Sequence, residues 1–289
     1  MEISYLGENS SQLFNIKSME TMKNASIILF LAFALSSCGD TPKSADKQET
    51  LSNQNAVALP KDSMTLLYQQ YLRELESPMP TFQEKKAGKL FPVDEAPLDT
   101  GFFVFRQRLL DAIERRDVFY LMEITNKDIK ISFGAEQGSA DMVKMWGLDG
   151  AKTDTLEIWS ILQSALTQGG VFQDNRNAFV APYYFATWPE GYDPYDFGVL
   201  IGSGVRLRAA PSQQAPINHT VSYDIVTVLS EENTETIEGE SYPWVRVALE
   251  KEGEGYVYGK YIGYPIGYRV GFQRIAGNHW EMNFFVAGD

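Results

Sequence analysis

The chain has 289 residues, a formal net charge of −13 and a single cysteine. A surface this acidic repels nucleic acid and anionic phospholipid, so we expect no nucleic-acid partner. Hydrophobic residues make up 44% of the chain, which is enough to build the core of one large domain or of two ordinary ones.

The N-terminal part contains an apolar run that ends at Cys38. The string LSSC at 35–38 resembles the recognition box of bacterial lipoprotein signal peptides, in which the thiol is acylated and the cysteine becomes the mature start. A basic residue follows Met22, and the apolar stretch at 25–35 is too short to span a bilayer. We therefore predict a signal peptide over 1–37, with translation starting at Met22 and lipidation at Cys38. The alternative is an ordinary secretory signal with an incidental cysteine.

Acylation of Cys38 leaves no thiol for a disulfide, a nucleophile or a metal ligand. The two histidines, His219 and His279, stand among polar or turn-forming neighbours, without a second histidine at ligand spacing. We therefore predict no metal site, no cofactor and no catalytic residue. Gly39 resembles the residue found in outer-membrane-directed lipoproteins, which predicts a lipid-anchored protein of the cell envelope, held on the outer membrane of a Gram-negative bacterium.

The segment 38–95 is predicted to be the lipidated cysteine followed by a flexible tether. Its first part, 39–63, is polar and cannot bury enough apolar surface to offset the loss of chain entropy on folding. The pattern at 64–76 is that of a short helix, and the prolines at 78, 80 and 92 indicate an irregular chain up to residue 94.

An α+β domain is predicted over 96–197. Apolar residues at helical spacing from Phe102 to Ile113 predict one helix, and a second short helix follows near 118–122. A strand is expected at 129–133. A third helix is expected to begin with a capping box formed by Asp154 and Glu157. The stretch 179–187 is expected to be a strand bent at Pro182.

After residue 197 the pattern becomes wholly β. The predicted short strands lie near 199–201, 205–208, 223–229, 244–249 and 255–258. The strings GVRLRAAPS (204–212), SYDIVTVL (222–229), WVRV (244–247) and GYVYGKYI (255–262) resemble the successive strands of a bacterial SH3-like (SH3b) domain. The resemblance implies a small all-β SH3-like barrel over 198–264 that binds a peptide ligand.

The last residues, 265–289, are predicted to form a β-hairpin, YRVGFQRI and HWEMNFFV, bent at 276–278. The final strand is very apolar for a terminus that follows a barrel already complete at Ile262. We therefore expect the hairpin to pack back on the α+β domain, which makes the barrel an insertion. The alternative is a simple appended hairpin.

Two sets of aromatic residues are candidates for ligand binding, because exposed rings can stack on sugars or on peptide prolines. The candidates in the barrel are Tyr223, Tyr242, Trp244, Tyr256, Tyr258 and Tyr261. The candidates in the aromatic stretch before the barrel are Tyr183, Trp188 and Tyr192. The alternative for both sets is packing within a core or between domains.

These patterns predict a membrane-anchored, non-catalytic binding module of the periplasm, whose partner is the peptidoglycan stem peptide or an envelope protein. The alternative is an envelope glycan hydrolase with a carboxylate pair in an inter-domain cleft. The candidate carboxylates for that alternative are Glu136, Glu157, Glu190, Asp193 and Asp196. Convergence of two of them in one deep pocket would favour the hydrolase.

Overall fold

The computed structural model describes residues 65, 66, 68, 69, 72, 79–251 and 253–288. The predicted signal peptide, Cys38 and most of the predicted tether lie outside the described residues. The described positions between 65 and 72 are helical, in agreement with the helix predicted there. Within the described part of the chain, no helix is both long and apolar enough to cross a membrane.

Helices and short strands are interspersed up to residue 186, and the remaining strands follow with no α-helix between them in the described part of the chain. The helices are α1 (Thr100–Arg115), α2 (Val118–Glu123), α3 (Gly138–Trp146), α4 (Ile158–Thr167) and α5 (Tyr183–Ala186). The strands up to the barrel region are β1 (Lys85–Lys86), β2 (Lys89–Leu90), β3 (Thr125–Lys130), β4 (Val171–Gln173) and β5 (Ala178–Ala181). The later strands are β6 (Phe197–Leu200), β7 (Val205–Arg208), β8 (Ile217–Val221), β9 (Ile225–Ile237), β10 (Glu240–Leu249), β11 (Gly253–Tyr258), β12 (Ile262–Gly263), β13 (Arg269–Ile275) and β14 (His279–Val286).

One sheet has five strands in the order β3-β14-β13-β5-β4. In this sheet β13 runs antiparallel to β5, with Val270 opposite Ala181. Strand β14 runs parallel to β3, with Met282 opposite Thr125. Strands that precede and follow the barrel region in the sequence therefore share a single sheet.

The helices cover this sheet and share its core. Helix α1 begins where the Asp99 carboxylate accepts a hydrogen bond from the backbone N–H of Phe102 at 2.9 Å, a common way to satisfy the free N–H groups of a first turn. The Phe102 ring is fully buried, and its centre lies 4.2 Å from that of Phe179 and 4.7 Å from that of Trp280. Burial of these rings supplies much of the hydrophobic stabilisation that holds α1 on the sheet.

The other large sheet is antiparallel and curled, with seven strands in the order β12-β6-β9-β10-β11-β7-β8. On β7, Val205 and Leu207 are buried while Arg206 between them is exposed, as the two-residue period of a strand requires. The core inside the curled sheet contains mainly β-branched residues and leucines from five of its strands and from the start of β12.

We call residues 79–98 the connecting segment, because they bond to both parts of the protein. On one side, the backbone N–H of Leu90 donates to the carbonyl oxygen of Tyr223 in the curled sheet at 2.8 Å. On the other side, Asp94 forms a buried, bidentate ion pair with Arg106 of α1, with N–O distances of 2.6 and 2.7 Å. The predicted tether reached residue 95, whereas the Gln83 side chain already donates a hydrogen bond to Thr187 at 2.9 Å, and Leu90 and Val93 are buried.

Several element boundaries differ from the predictions for local physical reasons. The strand expected at 129–133 lies at 125–130, and α3 was not predicted. The strand expected at 179–187 ends at Ala181, because Pro182 has no N–H to donate to the sheet and a helical turn follows it. Helix α4 begins at Ile158 without the predicted capping box.

Candidate binding groove of the curled sheet

A groove of about 350 Å³ opens on the curled sheet, and we call it the aromatic groove. The turn before β7, strand β7 itself and the outer part of the β9–β10 hairpin form its walls. Its lining residues are Gly202, Ser203, Gly204, Val205, Arg206, Arg208, Gln213, Ile237, Trp244, Tyr258 and Tyr261. Three of the predicted barrel candidates therefore meet in one groove.

The three groove aromatics form a cluster around Tyr258. Its ring centre lies 5.6 Å from that of Trp244 and 6.4 Å from that of Tyr261. The first contact follows from the pairing of β10 with β11, in which Trp244 stands directly opposite Tyr258. Trp244 is 2% exposed and Tyr258 5%, whereas Tyr261 is 45% exposed. The two buried rings are thus the floor of the groove, and Tyr261 is the ring a ligand can reach.

Hydrogen bonds to the β9–β10 hairpin fix the two floor rings. The indole N–H of Trp244 donates to Oε2 of Glu235 at 2.7 Å, and the same oxygen accepts the backbone N–H of Gln213 at 3.0 Å. The Tyr258 hydroxyl donates to the carbonyl oxygen of Glu240 at 2.6 Å. Because their polar atoms are satisfied, these rings can stay buried at low cost. Glu235 was not among the residues predicted from the sequence.

The remaining barrel candidates lie outside the groove. Tyr242 is 37% exposed and packs edge-on against Tyr258, with ring centres 5.4 Å apart. Tyr256 is half-buried on β11, opposite Arg208. Tyr223 contacts Phe91 of the connecting segment, with ring centres 5.3 Å apart. Only Tyr242 of these three extends the groove aromatics.

The three candidates before the barrel belong mainly to a packing cluster between the two parts of the protein. Tyr183 is fully buried there with Leu90 and Val199, while Trp188 and Tyr192 are half-buried against it. Burial raises the pKa of the Tyr183 hydroxyl well above its usual range. Tyr183 therefore does not present a surface to a ligand, which corrects its prediction as a binding residue.

Tyr192 differs from its neighbours because it also borders open space. It lines a second cavity, of about 760 Å³, together with Phe197 of β6 and Ile225 of β9. We call this cavity the wide cleft. Trp188 is tied to the same segment, because its indole N–H donates to the carbonyl oxygen of Tyr192 at 2.9 Å.

The candidate carboxylates for a hydrolase are all exposed, and they line neither the aromatic groove nor the wide cleft. Their positions are Glu136 before α3, Glu157 before α4, and Glu190, Asp193 and Asp196 before β6. Among the residues that the structure describes, no three His, Cys, Asp or Glu side chains come close enough together to hold a metal ion.

Residues 203–263 match the protein family described as Bacterial SH3 domain. This range includes every lining residue of the aromatic groove except Gly202. No curated protein and no solved structure matches the chain. The predicted bacterial SH3-like domain is therefore confirmed, the curled sheet fits an SH3-like barrel, and the domain is of a class that acts as a binding module.

Proposed function

We propose that the protein is a lipid-anchored envelope protein whose bacterial SH3 domain binds the peptide part of the cell wall without catalysis. The aromatic groove is the observation that carries this proposal. It combines one accessible ring, Tyr261, with a rigid aromatic floor inside the matched domain. Rigid aromatic surfaces bind peptides well because little side-chain entropy is lost on binding.

The anchoring part of the proposal rests on the sequence around Cys38. The LSSC string and the short apolar stretch before it support export and acylation. Acylation would tether the binding domain to the outer membrane and hold it facing the periplasm, where it meets peptidoglycan or an envelope protein at high local concentration.

We also propose that the SH3-like barrel is an insertion in the α+β domain. The pairing of β13 with β5 and of β14 with β3 supports this arrangement, because the C-terminal hairpin then completes the sheet begun before the barrel. An inserted domain is held at both ends, which fixes the direction in which its groove faces.

The exposed positions of the candidate carboxylates support binding over glycan hydrolysis. A glycosidase needs two carboxyl groups roughly 5–10 Å apart on either side of the bond that is cleaved. Such a pair works in a cleft that holds the sugar and excludes water, and neither the aromatic groove nor the wide cleft is lined by any of the five candidates.

The proposed binding is tested by co-sedimentation of the full-length protein, in detergent, with purified peptidoglycan. We expect the unmodified protein to be retained, and Tyr261→Ala to weaken retention about tenfold, since loss of a central aromatic contact has an effect of this size. Tyr195→Ala is the matched control, because Tyr195 is 59% exposed and does not line the aromatic groove.

Trp244→Ala and Tyr258→Ala are poorer tests of binding, because both side chains are buried and their loss destabilises the fold. If the unmodified protein is not retained by peptidoglycan, cell-wall binding is refuted. If Tyr195→Ala weakens retention as much as Tyr261→Ala does, the aromatic groove is not the binding site.

A further inference from the structure

The charge of the aromatic groove is opposite to that of the whole protein. The chain has a formal net charge of −13, yet two arginines and no Asp or Glu are among the groove-lining residues. The arginines, Arg206 and Arg208, both lie on β7. A positively charged groove attracts anionic groups, while the acidic remainder of the surface repels them, so an anionic ligand is concentrated at the groove.

Arg206 has its donors available to a ligand. It is exposed, because the alternation along β7 turns Val205 and Leu207 into the core and leaves Arg206 on the outside. No hydrogen bond or ion pair joins its guanidinium to another of the described residues. An arginine in this state keeps all five of its N–H donors for binding.

Arg208 is held more rigidly and complements Arg206. It is half-buried, and its Nη1 donates to the carbonyl oxygen of Ala215 at 2.6 Å. Its other guanidinium nitrogens have no hydrogen-bond partner among the described residues. Arg208 therefore stands at a fixed position beside the groove with donors still unused.

Glu235, the acidic side chain bonded to the groove floor, forms no hydrogen bond or ion pair with either arginine among the described residues. Glu235 uses one carboxylate oxygen for both the indole N–H of Trp244 and the backbone N–H of Gln213. The positive charge of β7 is left for a partner from outside.

We infer that the aromatic groove selects a ligand with a free carboxylate, which Arg206 binds through its planar fork while the rest of the ligand packs on Tyr261. This inference rests on the proposed function and specifies the chemical group that the groove recognises in a cell-wall peptide. A guanidinium matches a carboxylate with two parallel hydrogen bonds, and such charge-assisted bonds are about twice as strong as neutral ones.

The experiment compares two ligands. One is a soluble muropeptide, released from purified peptidoglycan by a muramidase, and the other is the same muropeptide with its carboxylates converted to methylamides. Binding of each form to the full-length protein in detergent is measured by titration calorimetry. We expect the methylamide form to bind about tenfold more weakly, the loss that follows from removing a charge-assisted hydrogen bond.

The variant Arg206→Gln is expected to weaken binding of the free-carboxylate form about tenfold and to leave binding of the methylamide form unchanged. Arg206→Lys keeps the charge and is expected to restore part of the loss. Arg108→Gln is the matched control, because Arg108 is exposed on α1 and lines a different cavity. The affinity of the unmodified protein is also expected to fall with added salt more steeply than that of Arg206→Gln.

Equal affinity for the two forms of the muropeptide would overturn the carboxylate inference and leave cell-wall binding intact. An equal loss of affinity for both forms in Arg206→Gln would also overturn it, because Arg206 would then act without regard to ligand charge. Failure of the unmodified, folded protein to bind either form would refute the proposed function itself.

Discussion

Two groups of aromatic side chains in this protein have similar compositions and different surroundings. In the aromatic groove, hydrogen bonds to the β9–β10 hairpin fix the two floor rings, Trp244 and Tyr258. The neighbouring Tyr261 is exposed to solvent. The cluster around Tyr183 is instead covered by the connecting segment, through Leu90 and its neighbours. What covers an aromatic ring therefore decides whether it is open to solvent or buried in a packing cluster.

The largest difference between the two groups is expected in stability. Tyr183→Ala removes a fully buried ring and should lower the free energy of unfolding by about 3–5 kcal/mol. Tyr261→Ala removes a ring that is 45% exposed and should cost less than about 1 kcal/mol. Urea denaturation of both variants measures the two losses. Equal losses would show that the groove ring is as much a part of the core as Tyr183.

The connecting segment covers the cluster around Tyr183, and the buried ion pair between Asp94 and Arg106 holds this segment on α1. Asp94→Ala leaves the Arg106 guanidinium buried without a counter-charge, and we expect it to lower the free energy of unfolding by about 3–5 kcal/mol. The exposed pair of Asp111 and Arg115 provides the control, and Asp111→Ala should cost less than about 1 kcal/mol.

Urea denaturation measures the loss of unfolding free energy in both variants, Asp94→Ala and Asp111→Ala. A loss for Asp94→Ala that matched the small loss for Asp111→Ala would mean that the connecting segment is a loose tether, as the sequence alone suggested. It would also mean that the connecting segment does not hold the cluster around Tyr183 closed to solvent.

A smaller effect is expected at alkaline pH, and the cluster around Tyr183 contributes to it. Burial raises the pKa of Tyr183, and it raises the pKa of Tyr184 beside it to about 12. In the unfolded chain both hydroxyls lose their protons near pH 10, so above that pH the unfolded state binds fewer protons than the folded state. The contribution of these two hydroxyls to the free energy of unfolding is therefore fully present below pH 10, and it falls as the pH rises from 10 to 12.

We expect Tyr184→Phe to reduce this fall by about 1–2 kcal/mol, because phenylalanine has no proton to lose. Urea denaturation at pH 9, 10 and 11 gives the slope for each protein. A slope that is the same in Tyr184→Phe and in the unmodified protein would contradict the assigned cause.

The curled sheet could be predicted from sequence because its signals are local. The alternation of Val205, Arg206 and Leu207 and the string GYVYGKYI at 255–262 indicate strands by themselves. Three groove residues followed from the same pattern. The role of Glu235 could not be predicted in this way, because it depends on the pairing of β9 with β10, whose register shifts between Pro243 and Val245.

The connecting segment shows what local patterns miss. Its prolines and lysines are typical of an irregular, solvated chain, and its order comes from partners far away in the sequence, such as Arg106 and Tyr223. Likewise, Tyr183 could not be told from a surface tyrosine by its neighbours in sequence, since the segment that buries it lies about a hundred residues earlier.

The most direct test of the central claim is an NMR titration of the full-length protein with the soluble muropeptide, observing the indole N–H signals of its five tryptophans. The signal of Trp244, assigned with a Trp244→Phe variant, reports on the aromatic groove, and that of Trp188 reports on the cluster around Tyr183. The account predicts that the muropeptide shifts the Trp244 signal and leaves the Trp188 signal in place. A shift of Trp188 with Trp244 unchanged would contradict it.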